Sequence, residues 1–188
     1  MLNRKQGFTL IFSFFVFCTR PRAFPDLGLE GDFRLKNINT GSYLSRRELP
    51  LPALLFMGYT SCPDICPMTL THLQKVLQDP KLKDNFHVLF LSLDPQRDGE
   101  EKLKSYLSYF KLNATGLTGT KQEIDRAVTV LGGHYEIVKQ GSGLEYLIDH
   151  STYIYLLDKE AKVRYLFRHG EEVKTMQKVL RDFLKKGL

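Results

Sequence analysis

The stretch that most restricts this chain is Ala53-Leu54-Leu55-Phe56-Met57, a short, fully apolar run preceded by Pro50 and Pro52. It reads as a strand buried in the middle of a sheet, covered on both faces. Directly after it comes Gly58-Tyr59-Thr60-Ser61-Cys62-Pro63-Asp64-Ile65-Cys66-Pro67, and then Leu70, Leu73, Val76 and Leu77 at helical spacing, stopped by Asp79-Pro80. Pro67 has no backbone N–H to donate and suits the first position of that helix. Cys66 then abuts a helix N-terminus, where the macrodipole and free N–H groups favour a thiolate, with Cys62 in the loop before it. Two soft sulfurs placed this way can form a disulfide or bind a soft metal.

The rest of the chain supplies a frame for that turn. Val88-Leu89-Phe90-Leu91-Ser92-Leu93 is a second buried strand, ending in the charged turn Asp94-Pro95-Gln96-Arg97-Asp98-Gly99. Leu103, Tyr106, Leu107 and Phe110 mark an amphipathic helix, 113–120 a loop, and Ile124, Val128 and Leu131 a third helix closed by Gly132-Gly133. Strands follow: Tyr135-Glu136-Ile137-Val138, leading into Gln140-Gly141-Ser142-Gly143, then a hairpin of 151–157 and 163–167 around the turn Asp158-Lys159-Glu160-Ala161. Val173, Met176, Val179, Leu180, Phe183 and Leu184 make a terminal helix, and Asp32-Phe33-Arg34-Leu35 with the turn Asn39-Thr40-Gly41 makes a small N-terminal hairpin. A βαβ half followed by a hairpin and a last helix is the thioredoxin-like order. The expected fold is therefore α/β: a central mixed β-sheet flanked by helices, with an N-terminal β-hairpin extension and the cysteines on the first βα turn.

Composition narrows the class. With 188 residues and 43% hydrophobic content, one core and one domain are expected. The net charge of +6 comes from interspersed basic and acidic residues with no nucleic-acid motif, so the surplus reads as solvated surface and no nucleic-acid partner is expected. Three cysteines are too few for a disulfide scaffold. At the N-terminus, Arg4 and Lys5 precede an apolar run from Gly7 to Phe17 closed by Cys18. That pattern fits a signal peptide and falls short of the ~20 residues that span a bilayer. Cys18 resembles the lipid-modified cysteine of bacterial lipoproteins, although Phe17 stands where a small residue is usual and Phe15 where leucine is usual; a plain signal peptide or a short uncleaved anchor are the alternatives. The organisation expected is a leader or anchor over 1–18, a tether over 19–30 and one domain over 31–188. Export to an oxidising compartment would make a Cys62–Cys66 disulfide reasonable. Nothing requires more than a monomer.

A metal needs ligands beyond the cysteine pair. Of the five histidines, His72, His87, His134 and His169 read as surface or structural residues. His150 stands at the mouth of the hairpin in Ile148-Asp149-His150-Ser151-Thr152, where a loop can fold over the cysteine turn. Two thiolates and one imidazole suit Cu(I), and with an added weak ligand Cu(II). Structural zinc wants four ligands, and a full set is not evident. A structural disulfide or two inert buried thiols remain the alternatives.

The segment from Gly58 to Pro67 resembles the motif of the Sco/SenC family, copper-binding assembly factors of cytochrome oxidase. Ser92-Leu93-Asp94-Pro95-Gln96-Arg97-Asp98, Gly116-Leu117-Thr118-Gly119, and Tyr146-Leu147-Ile148-Asp149-His150-Ser151 with Ile154-Tyr155-Leu156-Leu157-Asp158 resemble further family segments in order and spacing. The likeness covers roughly 30–186. Gly99-Glu100 departs from the family's frequent Thr-Pro, and the N-terminal run is shorter than the family's common anchor. The resemblance implies a thioredoxin-like fold, copper held by Cys62, Cys66 and His150, and a reversible Cys62/Cys66 dithiol–disulfide pair. It implies a metallochaperone rather than an enzyme, serving the copper-bearing subunit of cytochrome c oxidase at its binuclear centre. Other copper chaperones or thiol reductases are implied as partners, on the periplasmic face of a bacterial membrane and tethered through the N-terminus. The rival is an extracytoplasmic thiol–disulfide oxidoreductase or redox sensor; dedicated thioredoxins use CxxC, and a reductase has no need of His150. A peroxidase would want an arginine beside the cysteine, and Arg97, the nearest candidate, reads instead as a salt-bridge partner.

Overall fold

The computed structural model describes residues 24, 26–29, 31–50, 52–139 and 146–187. The leader or anchor expected over 1–18, Cys18 included, the tether to residue 23 and Gln140–Gly143 lie outside the described residues. Among the described residues no helix is long and apolar enough to cross a membrane.

The elements run β1 (Arg34–Asn37), β2 (Tyr43–Ser45), β3 (Ala53–Gly58), α1 (Ile65–Val76), β4 (His87–Ser92), α2 (Glu100–Ser108), β5 (Ala114–Thr118), α3 (Lys121–Val130), β6 (Tyr135–Lys139), β7 (Tyr146–His150), β8 (Ile154–Leu157), β9 (Val163–Phe167) and α4 (Val173–Lys185). Seven strands form one mixed sheet in the order β2-β1-β5-β4-β3-β8-β9, and β6 pairs with β7 in a separate ribbon. The β3, β4 and β5 strands are parallel, whereas β8 joins β3 antiparallel and the N-terminal hairpin adds antiparallel to β5. This is the expected thioredoxin-like α/β sheet with its hairpin extension.

The apolar run of β3 is buried at every position because alternate side chains feed two cores. Leu54 and Phe56 pack with α1, α2 and α4 through Leu70, Leu73, Leu103, Leu107, Met176, Leu180 and Phe183. Ala53, Leu55 and Met57 face α3 through Ile124, Ala127 and Val128. The carboxyl end of β3 therefore emerges at one pole of a sheet covered on both sides, and the cysteine loop starts there.

Three sequence expectations change. The loop expected over 113–120 contains β5, hydrogen-bonded between β4 and β1. Its glycine hid it: a Cβ on Gly116 would lie 2.5 Å from Ile38 Cδ1, so the glycine marks a close approach within a sheet. The first helix starts at Ile65, placing Pro67 third and not first. N–H groups in a first helical turn have no intrahelical acceptor, so proline loses nothing there. The hairpin strand expected over 151–157 begins only at Ile154.

Gly58 ends β3 where a Cβ would come 2.6 Å from Cys66 Sγ and 3.0 Å from Phe90 Cε2. Gly58→Ala should therefore overpack this point and destabilise the fold by about 1–3 kcal/mol, read as a lower urea midpoint at unchanged m-value.

Candidate metal centre

The cysteine loop is tied to the end of β4. Gly58 pairs with Ser92, and the Leu93 N–H donates to the Gly58 carbonyl at 2.8 Å. Asp98, 2% exposed, accepts from the Thr60 N–H at 2.9 Å, from the Ser92 hydroxyl at 2.8 Å and from the Thr60 hydroxyl. A buried carboxylate needs such donors, and here they staple residue 60 to the β4–α2 turn. Within the loop the Cys62 N–H donates to the Tyr59 carbonyl at 3.2 Å. Cys66 is buried in the first turn of α1, and Cys62 is half-buried; both are free thiols.

His150 arrives from the separate ribbon. It is the last residue of β7, opposite Tyr135 of β6. The expected position in a loop is thus corrected to a strand end, where antiparallel pairing fixes the direction of the ring. Tyr146, Ile148 and His150 alternate onto one face of β7. The Ile148 N–H donates to the Tyr59 hydroxyl at 3.3 Å, and the Tyr59 ring meets His150 edge-on with centroids 6.2 Å apart. His150 Nε2 lies 3.9 Å from Cys66 Sγ. Its Nδ1 is 3.0 Å from the Ser151 carbonyl, which can only accept, so Nδ1 carries a proton and Nε2 is the nitrogen turned to the sulfur.

Cys62, Cys66 and His150 are thus gathered at one mouth, and Cys62 and His150 line a cleft of about 360 Å³ with Tyr59, Ile65, Leu147 and Ile148. The described residues hold no closed cluster of three or more His, Cys, Asp or Glu side chains at metal-ligand spacing. Hydrogen bonding from Cys66 pulls the Cys62 thiol far below the usual range against the opposing effect of burial, helped by His150 and by the N–H groups of Asp64 and Cys66. The same bonding, burial and the charge of Cys62 push the Cys66 thiol up. These opposite shifts make Cys62 the thiolate-forming member of the pair and Cys66 the one that keeps its proton.

The other histidines have contacts elsewhere. His87 Nε2 is 2.8 Å from Thr115 Oγ1, and burial lowers its pKa. His169 Nδ1 is 3.3 Å from Thr69 Oγ1, His134 is exposed and pairs its backbone with Ser151, and the Nε2 of half-buried His72 has no hydrogen-bond partner. Arg97 makes the expected salt bridge, with Asp94. Sequence reasoning missed the supporting roles of Tyr59, Asp98 and Tyr146, although all three lie in segments that carry the family resemblance, Gly58–Pro67, Ser92–Asp98 and Tyr146–Ser151.

Known proteins resemble this chain over most of its length. The SCO1/SenC family model matches residues 25–185. An SCO2-like protein of Rickettsia conorii is 32% identical over 154 residues, covering 81% of this chain and 75% of its own length. The mitochondrial protein SCO1 of Saccharomyces cerevisiae is 33% identical over 162 residues; 83% of this chain matches 54% of that protein, so the chain spans about half of it. Among solved structures, Bradyrhizobium japonicum ScoI with copper bound superimposes with a TM-score of 0.72 at 32% identity, covering 81% of this chain and 98% of that one.

Because the Cys62 thiol is shifted down, its thiolate persists as pH falls, and the loss comes only below the lowered pKa. Alkylation of the reduced protein at Cys62 should stay nearly flat from about pH 8 to 5, where an ordinary thiol slows about tenfold per unit. Cys66→Ala removes the donor and should restore that slope, as followed by mass spectrometry.

Proposed function

Because the chain belongs to the SCO1/SenC family, we propose that it is a copper metallochaperone that holds copper between Cys62, Cys66 and His150. The observation that carries this reading is the 3.9 Å approach of His150 Nε2 to Cys66 Sγ with Nδ1 held by the Ser151 carbonyl. A soft cation held there would take its sulfur donors from Cys62 and Cys66 and its nitrogen donor from His150 Nε2. Two thiolates and an imidazole are the soft set that suits Cu(I). Copper displaces the proton that Cys66 keeps, so binding releases a proton and weakens as pH falls. Oxidation of the pair forms the sulfur–sulfur bond, passes two electrons and the one proton of Cys66 to an acceptor disulfide, which leaves as a thiol and a thiolate, and removes both sulfur donors. Copper loading and the oxidised state therefore exclude each other, which supplies a route to release.

The recipient in this reading is the binuclear copper centre of cytochrome c oxidase, approached from the outer face of a membrane to which the N-terminal segment tethers the domain. Thiol–disulfide exchange is the second reading. It is favoured by the two free thiols on one loop, with the half-buried Cys62 shifted toward the thiolate.

Copper retained by the reduced protein against a competing chelator separates the two readings. The expected result is one copper per chain, at least about tenfold weaker retention in His150→Ala, and none in Cys62→Ser/Cys66→Ser. A reduced protein that binds no copper while its disulfide exchanges freely with small thiols would transfer the assignment to an oxidoreductase.

A further inference from the structure

We propose that Arg97 is the positioning residue for His150, acting through Tyr146 at the far end of β7; this rests on the reading of His150 as a copper donor. The β6–β7 ribbon belongs to a different sheet from β3; the backbone leads from His150 to β8, which pairs with β3 from Ile154 onward, and side-chain contacts from the cysteine side add to that link. One is the Tyr59 hydroxyl on the Ile148 N–H. The others converge on Tyr146. Arg97 Nη1 donates to the Tyr146 carbonyl at 2.9 Å, and the guanidinium carbon lies 3.6 Å from the Tyr146 ring centroid and 5.6 Å from that of Tyr59. Asp94, 2% exposed, accepts from Arg97 Nε and, at 2.7 Å, from the Tyr146 hydroxyl, so one buried carboxylate orients both partners.

Arg97 thereby grips β7 by its backbone and its side chain together, against a turn already fixed to the cysteine loop through Asp98. Its Nη2 is buried without a hydrogen-bond partner among the described residues, where the carboxylate, the carbonyl and the aromatic faces hold this cation. The consequence reaches His150 by strand geometry. Tyr146 and His150 are four residues apart on the same face, and a slip of one residue at Tyr146 would turn His150 to the opposite face. A lysine at 97 could keep a bond to the carbonyl but has neither the planar face nor the fork that engages Asp94 and Tyr146 at once.

The test is a double-mutant cycle on the full chain, reduced and loaded with copper, read as affinity against a chelator. It is paired with nitrogen hyperfine coupling in the electron paramagnetic resonance spectrum of the Cu(II) form. Arg97→Ala should weaken copper about tenfold and diminish the nitrogen coupling, with Arg97→Lys between it and the parent. In a His150→Ala background Arg97→Ala should add less than about twofold, because its effect passes through the imidazole. If Arg97→Ala does not fold by circular dichroism, Arg97→Lys and Tyr146→Phe carry the same cycle. Unchanged nitrogen coupling, parent affinity in the Arg97 variants, or equal losses in both backgrounds would each overturn the proposal while a loss in His150→Ala leaves the copper site standing. Parent affinity in His150→Ala would remove the copper-site reading and this proposal together.

Discussion

Every functional position in this molecule is measured from β3, whose six residues are buried because they serve two cores at once. Fully burying side chains of this size stabilises by about 1.5–3 kcal/mol each, which makes the strand the least movable part of the chain. Parallel pairing with β4 and antiparallel pairing with β8 then hold it from both edges. Whatever follows Gly58 inherits that rigidity at a single point, the sheet pole where residues 59–64 turn into α1. Gly58 also lets Cys66 and Phe90 come closer than any side chain would allow, so the buried thiol rests against the strand end itself.

Beyond that point the apolar core has no hold, and polar groups take over. Asp98 and Asp94 are each 2% exposed, a placement that is tolerated only with donors arranged around the carboxylates. Asp98 holds the cysteine loop, and Asp94 holds Arg97 and Tyr146 on the ribbon side. The two carboxylates lie on one turn, so the pieces that bring sulfur and nitrogen together are referenced to a common support. That division fits a site whose pieces must meet closely: the sheet sets one partner, and a hydrogen-bonded turn sets the other.

The proximity of the two thiols gives the site its chemical character. The pair favours a thiolate on half-buried Cys62 and a protonated, buried Cys66, and His150 sets its Nε2 beside them. The mouth is soft, partly ionised and lined mainly by apolar side chains. Those are the conditions in which a thiophilic cation is favoured over water-loving ones.

Much of this was legible from local pattern. The apolar run of β3, the period of α1, α3 and α4, the β8–β9 hairpin and the paired cysteines all depend on side-chain periodicity and turn chemistry within a few residues, which a sequence displays directly. What failed were features that exist only between distant segments. β5 looked like a loop because Gly116 signals a break, whereas its neighbour Ile38 needs that space. His150 had no local sign of its direction; its place at the hairpin mouth set it apart from the other four histidines, and the motif resemblance then made it a ligand. The sequence by itself determined the layered fold and the cysteine turn, because burial on two faces and strand-to-helix punctuation leave few alternatives. Only the tertiary structure decided that His150 ends a strand facing Cys66 and that Asp94, Arg97 and Tyr146 brace it, because a contact between separate sheets is set by the packing of both and is encoded in neither alone.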